Sequence, residues 1–302
     1  MMSTEARHDS AKGFDQLNPA AQLRLLLDGQ VEAAKTVAGA LTDIGEAARL
    51  AHGALKRGGR LIYIGAGSSG LMAMADALEL PGTYGIQRDR IVILLAGGAD
   101  SLVDLAGGYE DDTALADADV QRTAIRADDC VICVSASGGT PYVVHAAQAA
   151  NALGATVISM ANVAGSKLHE PATVRIVLAT PPEVISGSTR MGAGTAQKIA
   201  FNMFSTLLGV ELGHVMDGHM VNLKADNEKL RGRAVRMVSD ISGIGPEDAE
   251  GLLHRANGAV KIALLLAAGA RDSADAQLRL DGYDNNLRAA LDALSMKQTT
   301  GT

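Results

Sequence analysis

LIYIGAGSSGL, residues 61–71, runs from four residues of a strand-forming pattern into a turn containing three glycines and two serines. A strand that ends in a glycine turn and opens a helix is the first half of a βαβ unit. Four more segments repeat the strand half: RIVILLAGG, CVICVSASG, ATVISMAN and VRIVLAT are short, β-branched, near-continuous apolar runs separated by Ala-rich helical stretches. Strands apolar on both faces and alternating with helices predict a parallel sheet covered on both sides. The expected fold class is therefore α/β, a three-layer sandwich of about five parallel strands.

Upstream of the first strand, NPAAQLRLLLDGQVEAAKTVAGAL has helical spacing, with Asn18 and Pro19 as N-cap and first-turn proline. Downstream, STRMGAGTAQKIAFNMFSTLLGVELG reads as one long helix entered from a Ser/Thr cap, after which strand signals stop. The remainder is helical, and GIGPEDAEGLL starts a helix at its proline. The expected organisation is a helical lead-in over 1–58, a sheet domain over 59–215 and a helical subdomain over 216–302, with no internal repeat.

Composition narrows the function. Of 302 residues, 47% are hydrophobic and 20% charged, and no apolar run approaches the roughly 20 residues of a membrane helix. The start, MMSTEARHDSAKGFDQL, lacks a cationic segment followed by an apolar block, so the expected location is the cytoplasm. A net charge of −7, no Trp and few Phe or Tyr argue against nucleic acid as a partner. Cys130 and Cys133 stand three apart in a strand, where their sulfurs point to opposite faces, so they read as buried thiols. The histidines form no ligand pattern, His214 and His219 being five apart, and no metal is implied.

In an open parallel sheet, ligands bind beyond the carboxyl ends of the strands. Three loops at those ends share one composition: Gly65-Ala66-Gly67-Ser68-Ser69-Gly70, Ser135-Ala136-Ser137-Gly138-Gly139-Thr140, and Ser186-Gly187-Ser188-Thr189-Arg190. Glycine permits close backbone approach, while hydroxyls and helix N-terminal amides donate to anionic oxygens, which makes a phosphate the natural guest. Local helix capping explains one such loop equally well, but less readily three. A dinucleotide would need an acid about 20 residues on, at the end of the second strand. That strand ends in LLAGGAD instead. Two glutamates stand near the same edge. Glu79 lies in MADALELPGTYG between Leu78 and Leu80, which implies partial burial and a raised pKa, and Glu110 lies in LAGGYEDD.

At these residues the chain closely resembles the N-acetylmuramic acid 6-phosphate etherases, a bacterial family built on the sugar isomerase (SIS) fold. The matching segments are TEAR, GGRLIYIGAGSSG, DALELPGTYG, LLAGG followed by YED, SASGGTPYV, GSTRMGAGTAQK and DNEKL, spanning residues 4 to about 230. The resemblance implies cleavage of the D-lactyl ether of N-acetylmuramic acid 6-phosphate to N-acetylglucosamine 6-phosphate and D-lactate, without metal or nucleotide cofactor. It places the family's two catalytic glutamates on Glu79, as acid for the ether oxygen, and Glu110, as base at C2. Gly67, Ser68, Ser69, Ser135, Ser137, Gly138 and Thr140 match the phosphate and sugar contacts, with Ser188 and Arg190 as neighbours. It also implies a homodimer with shared active sites.

The chain departs from the family's usual pattern at Leu71, Gly139 and Gly192, where basic residues are the rule. Three cationic side chains are thus expected to be missing from around the anion site, each worth about 1.5–3 kcal/mol in a charge-assisted bond to phosphate. Arg190, Lys198 and Lys224 are the candidates to compensate. Two other readings stay open on the sequence: an SIS phosphosugar isomerase, which shares proton removal at C2, and a non-catalytic sugar-phosphate sensor similar to the glucokinase regulatory protein.

Overall fold

Two helices lead in, α1 (Pro19–Lys35) and α2 (Leu41–Lys56). There follow β1 (Leu61–Gly65), α3 (Gly67–Tyr84), β2 (Ile91–Leu95), α4 (Ser101–Asp104), α5 (Thr113–Thr123), β3 (Cys130–Ser135), α6 (Pro141–Ala152), β4 (Thr156–Ala161), β5 (Val174–Val177) and α7 (Gly192–Glu211). The computed structural model describes residues 4–104, 107–223 and 228–299. Lys224 and the Asp226 and Asn227 of DNEKL lie outside the described residues. The chain divides into two compact units, Met1–Leu78 with Arg88–Leu207, and Glu79–Gln87 with Leu208–Thr302.

The five expected strands all form, and they pair in the order β2-β1-β3-β4-β5, every pair parallel. Both faces of β1 and β3 are covered, and every residue of the two strands is buried. Ile62, Ile64, Val131 and Cys133 share a core with Tyr142, Val143, Ala146 and Ala147 of α6. From the alternate positions of β1, the Tyr63 ring meets Phe201 of α7 with centroids 6.0 Å apart. α2 packs on β1, β3 and β5, and its buried residues Ala47, Ala48, Ala51 and Ala54 are small enough for close approach to the sheet. Cys130 and Cys133 are buried free thiols, and burial raises both pKa values, that of Cys130 to about 12.

At the amino ends of β1 and β3, Asp129 is completely buried and accepts four hydrogen bonds. Arg60 supplies its backbone N–H (2.9 Å), Nε (3.2 Å) and Nη2 (2.7 Å), and Arg126 its backbone N–H (2.9 Å). Burial pushes this carboxyl up, but the Arg60 and Arg126 bonds outweigh it and hold the pKa below the usual carboxylate range. The sheet is thus pinned at the end opposite to its ligand-binding edge.

α1 is capped as expected, Asn18 Oδ1 accepting from the Ala21 N–H at 3.0 Å. α7 is not entered from a Ser/Thr cap. The buried Glu183 takes that role, its carboxylate accepting from the N–H groups of Gly192 (3.0 Å) and Ala193 (2.8 Å). A carboxylate suits the positive end of a 20-residue helix better than a hydroxyl does.

In the second unit the sequence signals were incomplete. A small antiparallel hairpin, β6 (Val215–Met216) and β7 (His219–Met220), turns on Asp217 and Gly218, both at positive φ. Five helices follow: α8 (Glu228–Ser242), α9 (Pro246–Arg255), α10 (Val260–Ala267), α11 (Ser273–Asp281) and α12 (Leu287–Thr299). They contain a repeat, against the expectation of none. Ala249, Leu253, Val260 and Ala263 of α9 and α10 recur 27 positions later as Ala276, Leu280, Leu287 and Ala290 of α11 and α12, all buried. Each helix pair turns on two residues at positive φ, Asn257-Gly258 in the first and Asp284-Asn285 in the second. The cations at the equivalent positions behave differently. Lys261 is buried and donates to the Asn285 carbonyl at 2.8 Å, whereas Arg288 pairs with Asp217 at 2.6 Å. Among the described residues, no helix is long and apolar enough to cross a membrane.

Inside the first unit, Asp76 of α3 is buried and accepts from Tyr63 Oη (3.1 Å) and Ser205 Oγ (2.7 Å). Burial pushes its pKa up to about 6, against the opposing effect of those bonds. The folded state therefore binds the proton more tightly than the unfolded chain, and this contribution to stability is lost as the pH rises through about 6. Thermal melts of wild type and Asp76→Asn at pH 5 and pH 8 test this: the substitution should gain on the wild type at the higher pH. A constant difference between the two proteins would contradict it.

Candidate active site

The turn after β1 depends on two glycines. A Cβ built on Gly65 would lie 2.6 Å from the Gly70 Cα, and one on Gly70 would run into the Leu95 side chain. Without side chains there, the end of β1 closes directly onto the first turn of α3, with the Gly70 N–H bonded to the Ala66 carbonyl at 2.9 Å. This holds Ser68 and Ser69, and the first free amides of α3, at the carboxyl edge of the sheet.

Next to β1 lies β3, and the strand order reverses between them, since β2 flanks β1 on one side and β4 and β5 follow β3 on the other. That switch point is where open parallel sheets bind their ligands. A cavity of about 180 Å³ opens there, lined by Ala66, Ser68 and Ser69 from the first loop and by Ser135, Ala136, Ser137 and Thr140 from the second. Glu110, Thr4, Glu5, Gly187 and Thr189 complete the lining.

The second loop is pre-formed by its own bonds. Ser135 Oγ accepts from the Gly138 N–H (3.1 Å) and meets Thr140 Oγ1 at 2.8 Å, while Ser137 Oγ accepts from the Gly139 N–H (3.1 Å). Gly138 adopts φ +64° and packs where a side chain would strike Ser166. Thr140 occupies the N-cap position of α6 yet makes no side-chain capping bond. Helix capping alone thus fails to account for its hydroxyl.

Glu110 sits on a 3-10 turn, Gly107–Asp111, and is seated from two directions. Gly67, at φ +48°, lacks the Cβ that would collide with its carboxylate. Gly97, at φ +80°, does the same for the ring of the preceding Tyr109. Gly97, just after the second strand, therefore seats Tyr109, at the place where a dinucleotide-binding chain would need its acid. Burial raises the Glu110 pKa, and the neighbouring Asp111 charge raises it further.

Most of the expected contact residues are brought together: Ser68, Ser69, Ser135, Ser137, Thr140 and Glu110 line one cavity, with Gly67 and Gly138 shaping its walls. From the third loop the lining takes Gly187 and Thr189 rather than Ser188 and Arg190, and Arg190 is exposed. Glu79 corrects a second expectation. It is exposed in the single chain and absent from the cavity lining. Leu80 beside it is buried, but Leu78 is 54% exposed, because neighbours on a helix point about 100° apart and only one of three consecutive residues faces the interior here. Thr4 and Glu5 were not singled out as site residues, since a docked terminal segment leaves no periodic signal.

The three missing cations are not equivalent. A Cβ on Gly192 would lie 3.0 Å from Ala33 Cβ and 3.1 Å from Glu183 Oε2, so a side chain there starts against the α7 cap. A Cβ on Gly139 would lie 3.6 Å from Ser137 Oγ, beside the cavity. Among the described residues no Lys or Arg lines the cavity, and its donors are hydroxyls and backbone amides.

A family model described as "SIS domain" matches residues 11–162. An N-acetylmuramic acid 6-phosphate etherase of Deinococcus radiodurans is 40% identical over 95% of this chain and 94% of its own. The protein of the same name from Mycolicibacterium smegmatis is 38% identical over 97% and 98%. Among solved structures, a phosphoheptose isomerase from Francisella tularensis aligns at TM-score 0.48 with 18% identity, over 65% of this chain and 98% of that one. Near-complete coverage in both directions, at 40% and 38% identity, makes the chain a member of the N-acetylmuramic acid 6-phosphate etherase family.

Proposed function

We propose that the protein is a carbon–oxygen lyase that cleaves the D-lactyl ether of N-acetylmuramic acid 6-phosphate, releasing D-lactate and N-acetylglucosamine 6-phosphate. The observation that carries this reading is Glu110, a half-buried carboxylate with a raised pKa in the same cavity as the hydroxyls of two strand-end loops. The loops bind the phosphate, which fixes the sugar relative to Glu110. Glu110 takes the C2 proton of the open-chain aldehyde, and the electron pair expels the lactyl oxygen from C3. Glu79 delivers the proton to that oxygen. Water then adds across the unsaturated aldehyde, its hydroxyl at C3 and its proton at C2, so no redox partner is needed.

Because Glu79 is exposed and outside the cavity of its own chain, the reading assigns it to a homodimer in which the partner subunit's Glu79 completes each site. An apolar stripe on α1 supports association: Leu23, Leu27 and Val31, four residues apart, are 67%, 55% and 43% exposed. Residues 59–215 form the sugar-phosphate domain in this scheme. In this reading the enzyme acts in the cytoplasm, where an impermeant sugar phosphate is retained, in the recycling of peptidoglycan sugars.

Incubation with N-acetylmuramic acid 6-phosphate should release D-lactate, and Glu110→Gln should lower kcat by about 10²–10⁴-fold. Ketose formed from an aldose phosphate, with no lactate, would instead favour an isomerase. As a base, Glu110 acts only when ionised, so kcat/KM should fall as the pH drops through its raised pKa. Asp111→Asn removes one cause of that rise and should move the acidic limb of the pH profile to lower pH. Gly67→Ala, which pushes against the Glu110 carboxylate, should cost about 100-fold in kcat. Co-assembly of Glu79→Gln with Glu110→Gln should restore about one quarter of wild-type activity if each site draws on both subunits. No restoration would place both glutamates in one chain.

A further inference from the structure

The cavity holds two carboxylates, and only one of them has a place in the elimination. Glu5 reaches the lining together with Thr4 from the N-terminal segment, far in sequence from the strand-end loops. An acid this close to a terminus is ordinarily a solvated surface group. Glu5 is exposed too, but its position is built. Ser186 Oγ donates to the Glu5 backbone carbonyl at 3.0 Å, which ties the segment to the loop that supplies Gly187 and Thr189 to the same lining. Gly187, at φ +74°, lies beneath the Glu5 carboxylate: a Cβ there would be 3.2 Å from Oε2.

The chemistry of the lining says what this carboxylate can recognise. The hydroxyls of Ser68, Ser69, Ser137 and Thr140 and the amides of α3 supply donors for an anion. An ionised carboxylate only accepts hydrogen bonds, and it repels a phosphate. Its partner on a bound ligand must therefore be a donor, meaning a sugar hydroxyl or an acylamino N–H. We propose that Glu5 is a substrate-positioning residue of this cavity, accepting a hydrogen bond from the hydroxyl or acetamido donors of a sugar phosphate whose phosphate sits among the loop hydroxyls. The inference rests on the sugar-phosphate reading of the site and extends it to a residue outside the sheet domain. Glu5 holds the sugar in the ground state and the transition state alike and moves no proton.

The test is Glu5→Gln, which keeps the side-chain shape and leaves the Ser186 tether untouched, since that bond is to the backbone. Calorimetry should show N-acetylglucosamine 6-phosphate bound about ten- to hundredfold more weakly by the variant, the range for one charge-assisted bond. Inorganic phosphate, which lacks the donor, should bind no more weakly than to wild type. In turnover, KM should rise by a similar factor with kcat within about threefold, as expected when uniform binding is lost. Glu5→Asp, which shortens the reach but keeps the charge, should fall between the two. Sugar-phosphate affinity within twofold of wild type would overturn the proposal, as would a fall in kcat at constant KM, which would make Glu5 a proton-transfer group. A wild type that binds the sugar phosphate but releases no lactate would sink the etherase reading alone, and the calorimetric comparison would then decide the role of Glu5.

Discussion

Two backbone segments must touch for this site to exist. At the end of β1 the chain reverses into α3 so tightly that neither Gly65 nor Gly70 has room for a side chain. The contact sets where the helix begins, and with it the direction of its free amides and the height of Ser68 and Ser69 above the sheet. β3, paired in register with β1 through Gly65 and Val134, then presents its own loop at the same level. Everything that lines the cavity from the sheet follows from that pairing and from the reversal of strand order between the two.

The electrostatics follow from the same arrangement. The cavity combines donor groups with carboxylates and, among the described residues, has no basic side chain in its lining. Fixed dipoles therefore replace mobile cations in holding an anion, and they do so without neutralising Glu110. A lysine or arginine close to Glu110 would depress its pKa and make it a weaker base. Burial and Asp111 act in the opposite direction. The absence of a cation next to Ser137, at Gly139, is consistent with that raised pKa.

The sheet was legible in the sequence because strands buried on both faces must be nearly continuous apolar runs, as β1 and β3 are, while the edge strand β5 keeps Arg175 exposed. The two central loops were legible because glycine and hydroxyl residues at strand ends have few other uses in that number. What escaped had no periodic or composition signature. Thr4 and Glu5 join the lining through a tertiary bond to Ser186, and the cap of α7 comes from Glu183, nine residues upstream of Gly192. Strands of two residues are too short to alternate, so the β6–β7 hairpin showed only its Asp217-Gly218 turn. The expected partial burial of Glu79 fails in the single chain for a different cause: apolar neighbours in sequence are not neighbours in space on a helix, and Leu78 and Leu80 face different surroundings.

The duplicated helix pairs in the second unit have a consequence of their own. Two copies of one module in one chain have met the same packing problem twice, and their differences separate necessity from accident. The small and branched residues that fill the turn-proximal core are retained in both, which marks them as the solution to that problem. The cations are not held to one role: in the first copy the amine has turned inward to grip the backbone of its twin, while in the second the guanidinium reaches out to a hairpin. The module thus tolerates either placement of its charge, since turn and core are alike in both pairs while the two cations take different partners.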